Sequence, residues 1–212
     1  MIHKRTALIM LALVAALALP AAAQDTIYCG WEDGTATVLG LYPADGSGMI
    51  ATNVMSPDPV YAGDHALKLE DTLESGTPQA YIAFVYGLED GDEVTAGFWR
   101  YDDTPDGSPS CRIWGHWNDE LPENPDGYSG SASGNSDYGT GTGWEWTEYT
   151  WTVADGHTGL VIEVRTYSNP GDIVWIDGLE IYPPEDCMVE TPCEEVVGTQ
   201  STTLSDLKSL FD

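Results

Sequence analysis

Basic residues are what this sequence has least of. Seven lysines and arginines stand against 35 aspartates and glutamates in 212 residues, for a formal net charge of −28. Two of the seven, Lys4 and Arg5, fall in the first few residues. A surface this acidic repels phosphate backbones and anionic headgroups, which excludes nucleic acid and anionic membranes as partners. Histidine is also scarce, with four copies and no cluster. The four cysteines, Cys29, Cys111, Cys187 and Cys193, include no Cys-x-x-Cys pair, so zinc-site spacing is missing. They suit an oxidising compartment. Three pairings are open, and the closeness of Cys187 and Cys193 around Pro192 favours a small local loop between them.

Long apolar runs are missing too, with one exception. Ala7–Leu19 is uninterrupted, follows the basic start and leads to Ala21-Ala22-Ala23. This reads as a secretory signal peptide over 1–23 with cleavage before Gln24, because the run is too short to span a bilayer comfortably. Later segments offer no bilayer-length stretch, so an exported protein without membrane insertion is expected. Gly-x-Ser-x-Gly and His-Glu-x-x-His are both absent, which removes the usual nucleophile elbow and zinc-hydrolase signatures.

What the chain does have is short strands separated by turns. "TIYCGWEDG" reads as a first strand meeting a turn at Asp33-Gly34, and "HALKLE" alternates. "QAYIAFVYGL" runs through "EDGDE" into "EVTAGFWRYDD" as its hairpin partner. "CRIWGHWND", "EWTEYTWTV", "TGLVIEVRTYS" and "DIVWIDGLEIYPP" follow. About eight antiparallel strands at this spacing predict an all-β sandwich over 24–184. Residues 102–110 and 119–143 read as loops. Residues 185–212 read as a linker and tail that ends in a short helix, with Leu204, Leu207, Leu210 and Phe211 on one face.

Five stretches in this order, "GWEDGT", "PVYAGDHALKLE", "GLEDGDEVTAGFWRY", "WTEYTWTV" and "DIVWIDGLEIY", resemble the jelly-roll carbohydrate-binding modules of the cellulose- and xylan-binding type, over roughly 27–183. The resemblance implies a jelly-roll sandwich that binds polysaccharide or cell-surface glycan. It also implies a structural calcium ion between the first and last strands, at positions matching Glu32, Asp64 and Asp177. Calcium takes six to eight hard oxygen ligands. The alternative is that Glu32 and Asp177 are surface acids, or that Asp177 pairs with Lys68. Trp31, where the family has Phe, and Gly178, in place of a second Asp, depart from the pattern.

A sugar is held by flat rings and planar hydrogen-bonding groups. Strand parity turns Trp99 and Tyr101 away from the core-facing Val94, Ala96 and Phe98. In the next strand Arg112, Trp114 and His116 share a parity, and Glu163, Arg165 and Tyr167 follow on the polar side of theirs. One sugar-binding face made of Trp99, Tyr101, Arg112, Trp114, Arg165 and Tyr167 is therefore expected. In "GTGWEWTEYTWTV", Tyr149, Trp151 and Val153 read as core and Trp146 as a ring at the mouth of the sandwich. That leaves Trp144 as a further ligand candidate. Core packing competes for every one of these aromatics.

Glu145 and Glu148 fall on opposite faces of a strand, and the dense Glu-x-Asp-x-x-Glu strand of sandwich glucanases is absent, so catalysis is not expected. The leading expectation is a secreted, non-catalytic carbohydrate-binding module. The alternatives are an extracellular structural or adhesive surface protein on the same sandwich and, behind it, a small β-sandwich glycosidase. The sequence leaves the glycan, the oligomeric state and the pairing of the cysteines open.

Overall fold

The strands sort into two sheets because nearly every long one carries bulky apolar residues on the parity that faces the other sheet. The computed structural model describes residues 26–34, 38–103, 111–121, 123–124, 126–137, 139, 142–166 and 170–198. Among them are β1 (Ile27–Cys29), β2 (Gly40–Tyr42), β3 (Met49–Met55), β4 (His65–Asp71), β5 (Gln79–Tyr86), β6 (Glu93–Asp102) and β7 (Cys111–Trp117). β8 (Gly130–Gly134), β9 (Gly143–Thr152), β10 (Gly159–Thr166), β11 (Ile173–Tyr182), β12 (Met188–Thr191) and β13 (Glu194–Gly198) complete them.

The first sheet runs β3-β4-β11-β6-β9 with β1 also on β11, and the second runs β13-β12-β5-β10-β7-β8 with β2 also on β5. The pairings within both sheets are antiparallel. The expected all-β sandwich is the observed architecture. The expected C-terminal helix falls in 199–212, outside the described residues. Between the sheets lie Trp31, Leu67, Leu69, Ile82, Phe98, Ile113, Trp151, Leu160, Ile162 and Ile176, each at most 2% exposed. Trp151 and Val153 are core and Tyr149 packs against it, as parity predicts.

Several expectations change. β5 and β6 are not a hairpin, since β5 pairs with β10, β12 and β2 whereas β6 pairs with β11 and β9. The turn between them arches from one sheet to the other. Gly87 and Leu88 donate their amides to the Thr158 carbonyl, Gly91 donates to Val153, and Leu88 is buried in the core between the sheets. Residues 185–198, read as linker, supply β12 and β13, and β12 adds to the second sheet beside β5 with Val189 buried. Residues 119–143, read as loop, contain β8 against β7.

The disulfide joins Cys29 to Cys193, not Cys187 to Cys193. It ties the first strand to the β12–β13 turn, and it leaves Cys111 and Cys187 as buried thiols outside the disulfide. Burial pushes the Cys111 thiol up to about 12, so it stays protonated at neutral pH.

Candidate functional site

Outward parity places two separate sets of aromatic and polar side chains on the two outer faces. On the first sheet, register puts Lys68, Trp175, Tyr101 and Trp144 in one crosswise row and Asp177, Trp99 and Trp146 in the next. The rings interlock. Tyr61, from the loop before β4, stacks on Trp99 with centroids 4.1 Å apart. Trp146 leans on Trp99 at 5.6 Å, and Tyr101 meets Trp144 at 5.3 Å and Trp175 at 5.7 Å, both edge-on. Trp146 also lies over Gly97, where any side chain would collide with its ring. Its indole donates to Glu148, while Glu145 turns to the other side and pairs with Arg100. The opposite directions expected for these two glutamates are observed.

The corner where a calcium ion was expected lies at the edge of this face. β1 pairs with β11, so the first and last long strands are neighbours as anticipated. Asp177 is fully buried. Its Oδ2 accepts the amides of Tyr61 and Ala62, and its Oδ1 accepts that of Gly178. Glu32 accepts the amide of Asp64 and lies against Gly63, whose φ of 74° holds the loop in a conformation that favours glycine. Lys68 is not among the hydrogen-bond partners of Asp177 described here.

A cation site presents oxygen lone pairs to the ion, whereas here amide N–H groups point at both carboxylates. Among the described residues no group of three or more His, Cys, Asp or Glu side chains is placed to hold a metal ion. The described contacts of these two carboxylates are amides, and the calcium expectation gains no support from them. Burial is the largest influence on Asp177 and raises its pKa, with the charge of Glu32 adding to the rise against the three amides. The same acids, Asp177 and Glu32, together with Glu180, help burial to raise the Tyr28 phenol, which marks this side of the sandwich as negative.

On the second sheet, register builds three rows across β5, β10 and β7: Gln79, Arg165 and Arg112; Tyr81, Glu163 and Trp114; Phe84, Val161 and His116. Tyr81, Phe84 and Val161 form a small apolar cluster under Leu39 and Leu121. Glu163 is completely buried. One of its oxygens is bonded to His116 Nδ1 and the other accepts Arg165 Nε at 2.7 Å.

His116 contacts the Tyr81 ring at 5.3 Å and the Tyr128 ring at 5.5 Å, and Tyr128 is 67% exposed. Burial and then the Glu163 charge raise the Tyr81 phenol, so it remains a hydroxyl donor at neutral pH. The guanidinium carbons of Arg112 and Arg165 lie 4.2 and 4.7 Å from the Trp114 ring centre, and its indole nitrogen donates to Ser131.

The expected single face is therefore two. Trp99, Tyr101 and Trp144 belong to the first sheet and Arg112, Trp114 and Arg165 to the second. Tyr167 lies outside the described residues. Parity correctly turned each ring outward, but parity does not say which sheet a strand joins. Tyr61 and Tyr128 come from loops, and Tyr81 sits in a strand buried on both faces, so none of the three carried a sequence signal.

No protein-family model and no curated protein sequence matches the chain. Solved structures do. The N-terminal CBM22-1–CBM22-2 tandem of Xyn10C from Paenibacillus barcinonensis matches with a TM-score of 0.53 at 13% identity, over 88% of this chain and 49% of the tandem. The chain thus spans about half of that protein's length. The K1 cleaved adhesin domain of Lys-gingipain from Porphyromonas gingivalis W83 matches at 0.46 and 15% identity, over 76% of this chain and 99% of that domain. TmCBM61, solved with β-1,4-galactotriose, matches at 0.44 and 18% identity, over 73% and 94%. The β-sandwich that the sequence motifs resemble, that of carbohydrate-binding modules, is the fold of this chain.

Proposed function

We propose that this chain is an exported, non-catalytic protein that binds polysaccharide or cell-surface glycan on the outer face of its second sheet. The observation that carries this reading is the side-by-side placement of rings and planar polar groups across β5, β10 and β7. Tyr128, 67% exposed, and the half-buried Trp114 supply ring surface, and the Arg112 and Arg165 guanidinium groups lie against Trp114. A sugar needs both kinds of group. On the first sheet the rings cover one another, and the best-placed one, Trp99, is already stacked under Tyr61.

Glu163 has both oxygens occupied, so it serves as the fixed centre of the site. A glycosidase needs two carboxylates free to exchange protons or attack. The disulfide between Cys29 and Cys193 accords with export.

The test is retention on a panel of immobilised polysaccharides, comparing the mature chain with Tyr128→Ala. Retention of at least one glycan, weakened several-fold by the variant at unchanged melting temperature, supports the reading. If the mature chain passes every matrix freely, the sandwich has a structural or adhesive role without sugar binding.

A further inference from the structure

The edge of a sheet is a template for another strand, and proteins blunt it with charge, shortness, proline or a bulge. The two strand paths of this sandwich end in β3, β9, β13 and β8. Three of these ends are blunted. β9 and β13 each hold two glutamates in sequence, and β8 has five residues and a register shift against β7. β3 has no such device. It runs seven residues without a charge or a proline, and it pairs with β4 in unbroken register. In a chain with 35 acidic residues, no charge falls between Asp45 and Asp58. Beside it on the outer face, Lys68 stands next to Thr52 and Glu70 next to Ile50, so that face of β4 adds no net charge.

The backbone and the side chains of β3 both suit a partner strand. The Thr72 amide donates to the Gly48 carbonyl. Alternation along an antiparallel ladder then aims the backbone groups of Ile50 and Thr52 at β4, and those of Met49 and Ala51 away from it. The sequence MIATNVM also reads nearly the same in both directions. Methionine stands at each end, a β-branched aliphatic stands next to each, and Thr52 is the centre. A second copy of β3, turned about a two-fold axis at Thr52, therefore brings like beside like. Ile50 meets Val54, and Thr52 meets Thr52, both on the outer face. There Ile50 is 51% exposed and Thr52 is exposed as well. Aliphatic and Thr–Thr cross-strand pairs of this kind are stabilising.

We propose that β3 is the seam of a two-fold dimer in which two copies of this chain join their first sheets. Outer face continues into outer face across the seam, so both second sheets lie on the same side of the joined sheet. Given the function proposed above, the two glycan faces then point the same way and engage one polysaccharide surface together. The dimer itself does not depend on that reading. Each copy brings a charge of −28, so repulsion opposes association and salt should strengthen it.

The test is sedimentation velocity of the mature chain over a wide concentration range, at low and at raised sodium chloride. The expected result is a monomer–dimer equilibrium whose dissociation constant falls as salt rises. Thr52→Asp sets like charges opposite each other and should weaken the dimer at least ten-fold, with an unchanged far-ultraviolet circular dichroism spectrum. Thr152→Asp makes the same charge change at the exposed end of β9 and should leave the equilibrium as it is. Thr52→Lys alone should weaken the dimer too, whereas an equal mixture of the Thr52→Asp and Thr52→Lys chains should restore it.

A wild-type chain that stays monomeric at every concentration and salt overturns the proposal. So does a dimer that survives Thr52→Asp, and so does a mixture no more dimeric than its two parts. Glycan retention is read separately on immobilised polysaccharide, so failure of the dimer and failure of glycan binding remain distinct results.

Discussion

On the outer face of the first sheet, Trp99 lies beneath Tyr61, Trp146 lies over Gly97, and Tyr101, Trp144 and Trp175 meet edge to face. On the outer face of the second, Trp114 stands between charged groups, and a buried carboxylate joins a histidine to an arginine. Both faces are rich in rings, but their partners differ. Rings that satisfy one another form a second small apolar layer and contribute mainly to stability. Rings surrounded by fixed polar groups create a patterned surface, and the energetic cost of holding those groups is a cost of recognition. On the first side the acids Asp177, Glu32 and Glu180 help burial to raise the Tyr28 phenol, whereas on the second Glu163 is bonded to His116 and Arg165.

The sharpest way to break this comparison is to remove its most buried charge. Glu163→Ala leaves Arg165 and His116 facing each other without their shared carboxylate. Breaking a buried ion pair from one side costs about 3–5 kcal/mol, so the denaturant midpoint should fall further for this variant than for the others named below. If Glu163→Ala unfolds at the wild-type midpoint, the network is not a buried centre of the site.

Next in size is a crossed pair of tryptophan substitutions. Trp99→Ala should cost about 2–4 kcal/mol, since it removes the ring on which Tyr61 and Trp146 rest, and glycan retention should survive. Trp114→Ala should cost only about 1–2 kcal/mol, for two cation–π contacts, and should lower retention at least ten-fold as the arginine forks lose their support. Thermal melts and affinity chromatography on the same two proteins decide the matter. The opposite pattern, with retention lost in Trp99→Ala and kept in Trp114→Ala, would move the glycan to the first sheet.

The same pair of residues shows how far the sequence could be read. Alternation over seven to ten residues disclosed β4, β6, β7, β9 and β11, along with the direction of each ring, because a half-buried strand must separate its two sides. It did not disclose that β5 and β6, adjacent in the chain, join different sheets, and that crossing is what separates Trp99 from Trp114. β2, β8 and β12 escaped because strands of three to five residues, rich in glycine or acid, leave no periodic trace. Their pairing comes from neighbours already in place. The Cys29–Cys193 bond bridges 164 positions, a closeness created only by the finished topology. Glu163 and His116 showed their outward parity, whereas their hydrogen bond depends on the register of β10 against β7.

The smallest expected effects sit at the edge of the first sheet, where Asp177 holds the loop that carries Tyr61. Burial raises the Asp177 pKa above its ordinary 3.8, so the folded state takes up this proton more readily than the unfolded chain. Its contribution is therefore fully present below the ordinary carboxylate range and is lost as pH rises through the raised folded value. Between that range and neutrality the Asp177 share of stability should decline, and Asp177→Asn should flatten that part of the melting-temperature profile.

A calcium ion on this carboxylate would reverse the sign, because a cation stabilises the ionised form. It would also raise the melting temperature by mass action, about 2.7 kcal/mol at a hundred times its dissociation constant. With the Tyr61, Ala62 and Gly178 amides already on Asp177 and the Asp64 amide on Glu32, we expect neither effect. Chelator should leave the melting temperature unchanged, and added calcium should do no more than magnesium. A drop of several degrees in chelator, reversed by calcium but not by magnesium and abolished in Asp177→Asn, would show that an ion, and not the amides, closes this corner and holds Tyr61 over Trp99.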